Sequence, residues 1–325
     1  MKKEMKKEMT EGMAKEMTKE MTKEITKEIT KEMAIKREVI MKNEGIGQKV
    51  CKVALAAGAV ASPFLFSYVV GKTCGNAIKG ISSNTFIVEA LTEGILALFA
   101  IAMILIFRKQ KALKFSSKGL KEGIVAGAGI LFFVVLAALS VFVDLGNPKT
   151  PAMIRGWEIA LLMLQCVFVG IFEEGIFRGV VLELMMDVFG CTKNVSEDAG
   201  KDADRNTDRK KAIYAIICAS LMFGCVHLTN AALPEVTLLA AAFQGISSAA
   251  IGMVFGAIYY RAGRSIWVVG LIHAVFDAAA FVQGGALFGQ TVEASVGKTN
   301  GSVLLYAAIF IAWFLFLMRD RSKEA

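Results

Sequence analysis

Apolar residues arrive in runs about as long as a bilayer is thick, and charge falls between the runs. Leu96 to Phe107 lies within one such run, Ile124 to Val143 forms a second and Val303 to Met318 a third. About twenty apolar residues cross the hydrocarbon layer as a helix, and only helices or closed barrels satisfy the backbone there. A barrel would show short alternating segments, and none are present. Composition agrees, because 55% of the 325 residues are hydrophobic and the mean hydropathy is +0.54. The expected fold is therefore all-α, a polytopic transmembrane bundle of about eight spans behind a low-complexity charged N-terminal tail.

The tail covers residues 1–49 and repeats the tetrad MKKE, MTKE, ITKE and its variants. An apolar residue every four positions drifts by about 40° per repeat around a 3.6-residue helix, so no face stays on a partner. Glu16–Lys19 and Glu20–Lys23 pairs favour an isolated helix slightly. This reads as a soluble, partly helical segment without chemistry, and its charge argues against a cleavable signal peptide ahead of the first span.

The remaining segment, 50–325, divides into candidate spans at 51–71, 86–107, 121–143, 157–189, 212–232, 237–260, 266–284 and 302–318. The fourth is too long for one simple crossing, so it tilts or continues beyond the bilayer. Pro63 is a candidate kink, and Pro234 sits in a tight connection.

Cations follow the even-numbered spans: Arg108, Lys109, Lys111, Lys114, Lys118 and Lys121, then Lys193 to Lys211, Arg261 with Arg264, and finally Arg319, Arg321 and Lys323. Odd-numbered spans are followed by few, namely Lys72, Lys79, Lys149, Arg155 and Lys298. Positive charge held inside places both termini in the cytoplasm. The net charge of +8 is thus topogenic, and no nucleic-acid partner is expected. Cys51, Cys74, Cys166, Cys191, Cys218 and Cys225 show no paired spacing and read as small packing residues. Gly123–Gly127 and Gly252–Gly256 have the spacing of close helix contacts.

Charge inside a span costs about 2.5–3.5 kcal/mol on insertion scales, so each instance needs a partner or a purpose. The fourth span ends Val167-Phe-Val-Gly-Ile-Phe-Glu173-Glu174-Gly-Ile-Phe-Arg178-Gly179. Glu174 and Arg178 are i,i+4 and can pair, while Glu173 points about 100° away. The chain's two histidines, His227 and His273, both lie in spans. One closes Phe223-Gly-Cys-Val-His227 and the other opens His273-Ala-Val-Phe-Asp277, where His273 and Asp277 share a helical face. Glu173, His227, His273 and Asp277, on three spans, can meet in one polar cavity. Glu89 and Glu93, four apart in the second span, find no role in that cavity.

E-E-x-x-x-R, F-x-x-x-H and H-x-x-x-D, in this order on separate spans, resemble the three motifs of the CPBP (CAAX protease and bacteriocin-processing) family, over about residues 155–285. That family includes type II CAAX prenyl endopeptidases and lysostaphin-resistance-protein-A-like proteins. The resemblance implies an intramembrane endopeptidase acting on a membrane-associated or lipidated peptide within the lipid bilayer of a bacterial cell membrane. It implies that Glu173 with His227 activates a water and that Arg178 holds Glu174. His273 with Asp277 would then stabilise the oxyanion, where many members carry Asn in place of Asp277. No cofactor is expected; were zinc used, its ligands would be Glu173, His227 and His273. The other readings are that zinc metalloprotease and a non-catalytic immunity, scaffold or transporter-like protein.

Overall fold

The computed structural model describes residues 31, 45–73, 77–78, 80–191, 202–290, 296–297 and 299–319, with the backbone alone at 202–206. Two compact units are distinguished, 1–51 and 52–325. Of the first, the described part is Lys31 and residues 45–51, all helical; most of the expected tail lies outside the described residues. The second unit carries the remaining helices.

Among the described residues every regular element is helical. In chain order they are α1 (Gly45–Thr73), α2 (Thr85–Ile106), α3 (Ser117–Ala126), α4 (Ile130–Gly146), α5 (Gly156–Ile176), α6 (Glu183–Phe189), α7 (Asp202–His227), α8 (Leu238–Arg261), α9 (Ile266–Gln283) and α10 (Val303–Leu317). One π-helical turn, Phe177–Leu182, joins α5 to α6.

Six helical segments are long and apolar enough to cross a membrane: α1, α2, the joined α5–α6, Thr207–Ala232, α8 and α9. All eight expected segments recur as helix, but two differ from simple crossings. The third is α3 plus α4, bent by 61° at Gly127-Ala128-Gly129, and it becomes a seventh span only if the pair is counted as one. Glycines lower the cohesion of a helix, and here a Cβ on Gly129 would lie 2.8 Å from the Trp313 ring. The last, α10, has 15 residues and so reaches about 22 Å, short of the roughly 30 Å hydrocarbon layer. Hydropathy measures composition, so it registers neither a bend nor an early stop. Helix α1 continues through Pro63.

Helix α5 occupies the centre, with α2 and α9 packed along it; α7 and α10 pack on α8, and α4 on α9. The crossings fall where side chains are missing. A Cβ on Gly170 would lie 2.4 Å from the Gly270 carbonyl oxygen, and one on Gly224 2.5 Å from that of Gly245. The two spaced pairs behave alike, with Gly123 and Gly127 against Val268 and Ile272, and Gly252 and Gly256 against Phe223 and Ile216. Backbones in contact gain dispersion energy and fix the depth at which each polar side chain sits. The starts of α2 and α5 are tied by Glu158, whose carboxylate accepts from Asn84 Nδ2 at 3.0 Å and from the Arg155 amide at 2.9 Å. On α4, Leu131, Phe132, Val135, Leu139 and Phe142 face outward, as a lipid-facing surface requires.

Candidate active site

The end of α5 carries a buried arginine. Glu174 is 0% and Arg178 2% exposed, and their side chains pair at 2.9 Å between Nη1 and Oε1. Arg178 Nη2 donates to the Gly252 carbonyl on α8 at 2.8 Å, and its guanidinium carbon lies 5.0 Å from the Phe223 ring and 5.6 Å from that of Phe255. A charge this deep is tolerated only when paired and hydrogen-bonded, and two aromatic faces add cation–π attraction. The planar fork of arginine permits both bonds at once; a lysine offers no such fork.

His273 sits against this pair from α9. Its Nδ1 lies 2.8 Å from Glu174 Oε1, and a carboxylate held by arginine can only accept, so Nδ1–H donates. Nε2 on the far side faces two more carboxylates, Asp277 at 3.4 Å and Glu173 at 3.6 Å. These are ion-pair separations, longer than a good hydrogen bond. Glu173 and Asp277 are partly open, with side chains 21% and 16% exposed, whereas His273 is buried. The site is thus layered: a closed Arg178–Glu174–His273 chain behind, two accessible carboxylates in front. The contact of α5 with α9 at Gly170 and Gly270 makes it possible, because the helix turn after each glycine carries the interacting residues.

His227 closes α7 and meets the same place through Phe223, whose ring stands edge-on to His227 at 4.8 Å and to His273 at 6.4 Å. His227 interacts electrostatically with His273 and Asp277, but no ion pair or hydrogen bond joins it to Glu173 among the described residues. Its Nε2 is buried without a hydrogen-bond partner among those residues. That nitrogen is available to a water or a substrate.

One participant has no place in the motif reading. Because α2 lies along α5, Glu93 comes within electrostatic range of both Glu173 and Asp277, with Glu89 beside it. Cys166, two turns before Glu173, faces Asp277 in the same sense. Two acids one turn apart inside a span were the available signal, and only the packing of α2 gives them an address.

The zinc alternative requires Glu173, His227 and His273 to aim lone pairs at a common centre. His273, with Nδ1–H held by Glu174, would offer Nε2, but no ion pair or hydrogen bond joins His227 to Glu173 among the described residues. Among the described residues no three His, Cys, Asp or Glu side chains are grouped as metal ligands. The arrangement does not fit a three-ligand zinc centre.

The family described as "Rce1-like: Type II CAAX prenyl endopeptidase Rce1-like" matches residues 155–279, which contain α5 to α9 up to Asp277 and every residue of the three motifs. Neither a curated protein nor a solved structure matches the chain. Residues 155–279 thus match the Rce1-like type II CAAX prenyl endopeptidase family, and the protein is an integral membrane protein that carries this protease-family segment.

Proposed function

We propose that the protein hydrolyses a peptide bond of a membrane-associated or lipidated peptide, with Glu173 as the general base. The observation that carries this reading is the partly open Glu173 carboxylate, 3.6 Å from His273 Nε2 and backed by the buried Glu174–Arg178 pair. Glu173 takes a proton from water, and the water oxygen attacks the carbonyl carbon. The proton then passes from Glu173 to the departing amine nitrogen as the C–N bond breaks. His227 Nε2, free of other partners among the described residues, holds the attacking water on the opposite side. His273, oriented by Glu174 and Asp277, supplies the positive edge against which the oxyanion develops. Asp277 acts by aligning this imidazole, a role that an asparagine oxygen can also fill.

The family and the depth of the site support this substrate class. A scissile bond must reach side chains lying within the spans, which suits a peptide carrying a lipid on cysteine near its C-terminus. The test is incubation of protein in phosphatidylcholine liposomes with a farnesylated CAAX peptide. A product ending at the farnesylated cysteine supports the reading, and an intact peptide contradicts it.

A further inference from the structure

Arg108 and Arg264 both adopt the left-handed backbone conformation, at φ 55° and φ 62°, where a Cβ is disfavoured and glycine is usual. Each follows the end of a helix, Arg108 after α2 and Arg264 after α8. Of the two, Arg264 has a partner within the described residues to hold it there, donating through its guanidinium to Glu183 on α6. Arg108 is exposed, and no carboxylate pairs with it among the described residues. The turn at Arg108 closes α2, with the Lys109 amide donating to the Ile104 carbonyl at 2.8 Å, and it sets the arginine side chain outward.

Its neighbours are placed alike. Lys111, Lys114, Lys118 and Lys121 are also exposed and lack an ion pair among the described residues, whereas Lys109 is taken by Asp187 at 2.7 Å. The backbone that carries them is fixed. Trp267 Nε1 donates to the Leu113 carbonyl at 2.8 Å, Ala112 is 1% exposed, and a Cβ on Gly119 would lie 2.4 Å from the Ala262 carbonyl oxygen. Phe115, 58% exposed, stands among the cations at the ends of two membrane helices. A rigid row of cations around an exposed aromatic, at the edge of the bilayer, matches anionic headgroups with acyl chains beneath them.

We propose that Arg108, Lys111, Lys114, Lys118 and Lys121 form a docking surface for the headgroups of anionic phospholipids. The surface abuts the α8–α9 connection, so bound lipid braces the helix that carries His273 and Asp277.

The test uses the full chain with Trp157→Phe and Trp313→Phe, leaving Trp267 as the reporter beneath the surface, and measures its quenching by dibrominated phosphatidylglycerol against dibrominated phosphatidylcholine. Preference for phosphatidylglycerol is expected, falling by up to about fivefold per cation neutralised at low salt. Changing Lys111, Lys114, Lys118 and Lys121 to Gln together abolishes the preference. Arg108→Gly weakens it while raising thermal stability in phosphatidylcholine, because strain is relieved as a contact is lost. Equal quenching by both lipids, or a preference untouched by these changes, overturns the proposal and leaves an acidic protein segment as the occupant.

Discussion

His273 Nδ1 lies 2.8 Å from Glu174 Oε1, and the same oxygen accepts from Arg178 Nη1 at 2.9 Å. The second carboxylate of the pair is therefore more than the counter-ion of a buried arginine. It transmits the position of α8, through Arg178 and Gly252, to the imidazole on α9.

Breaking this chain at Glu174 leaves a buried guanidinium with one uncompensated arm. Glu174→Gln is expected to destabilise the protein by about 3–5 kcal/mol, and Arg178→Lys to recover little of an Arg178→Ala loss. Unfolding in detergent micelles on titration with dodecyl sulfate measures both. Wild-type stability for Glu174→Gln would show that the pair is solvated.

The helix crossing gives a steric prediction. A methyl group on Gly170 would lie 2.4 Å from the Gly270 carbonyl oxygen, which belongs to backbone and cannot swing aside. Gly170→Ala should cost about 1–3 kcal/mol and lower turnover, since α5 and α9 separate between Glu173 and His273. Gly58→Ala on α1, where nothing lies within 4 Å, is the matched control and leaves both unchanged or slightly improved.

Asp277 is assigned an aligning role by its 3.4 Å separation from His273 Nε2. Asp277→Asn keeps an acceptor at that distance and should retain activity within about tenfold, whereas Asp277→Ala should lose about a hundredfold. Steady-state cleavage at fixed pH separates them. Equal losses for the two would assign Asp277 a charge-dependent step instead.

The ligand arrangement bears on metal. With no group of three such ligands among the described residues, activity of purified protein is expected to persist after dialysis against chelator, with zinc well below one equivalent by mass spectrometry. Loss of activity on chelation, restored by zinc, would contradict the metal-free reading.

The spans were legible because length and hydropathy decide membrane insertion locally. The bend at Gly127 to Gly129 was not, since it leaves composition unchanged, and the closeness of Gly129 to Trp313 on α10 is a tertiary contact. In the site, the Glu174–Arg178 pair is a relation of four residues on one helix and could be read directly. The bond from His273 to Glu174 spans 99 residues and exists only because two glycine backbones touch. Glu93 was visible as a cost without a benefit. Its proximity to Asp277 follows from α2 packing on α5, a tertiary fact that two acids on one helix do not encode.

Proton transfer by Glu173 is tested most closely by comparing Glu173→Gln with wild type, both reconstituted and presented with farnesylated CAAX peptide. The substitution keeps size and hydrogen bonding but removes the base, at a side chain open enough to spare the fold. A fall in kcat of about a thousandfold or more, with unchanged unfolding behaviour, is the predicted result. Cleavage by Glu173→Gln at the wild-type rate would contradict a general-base role for this carboxylate.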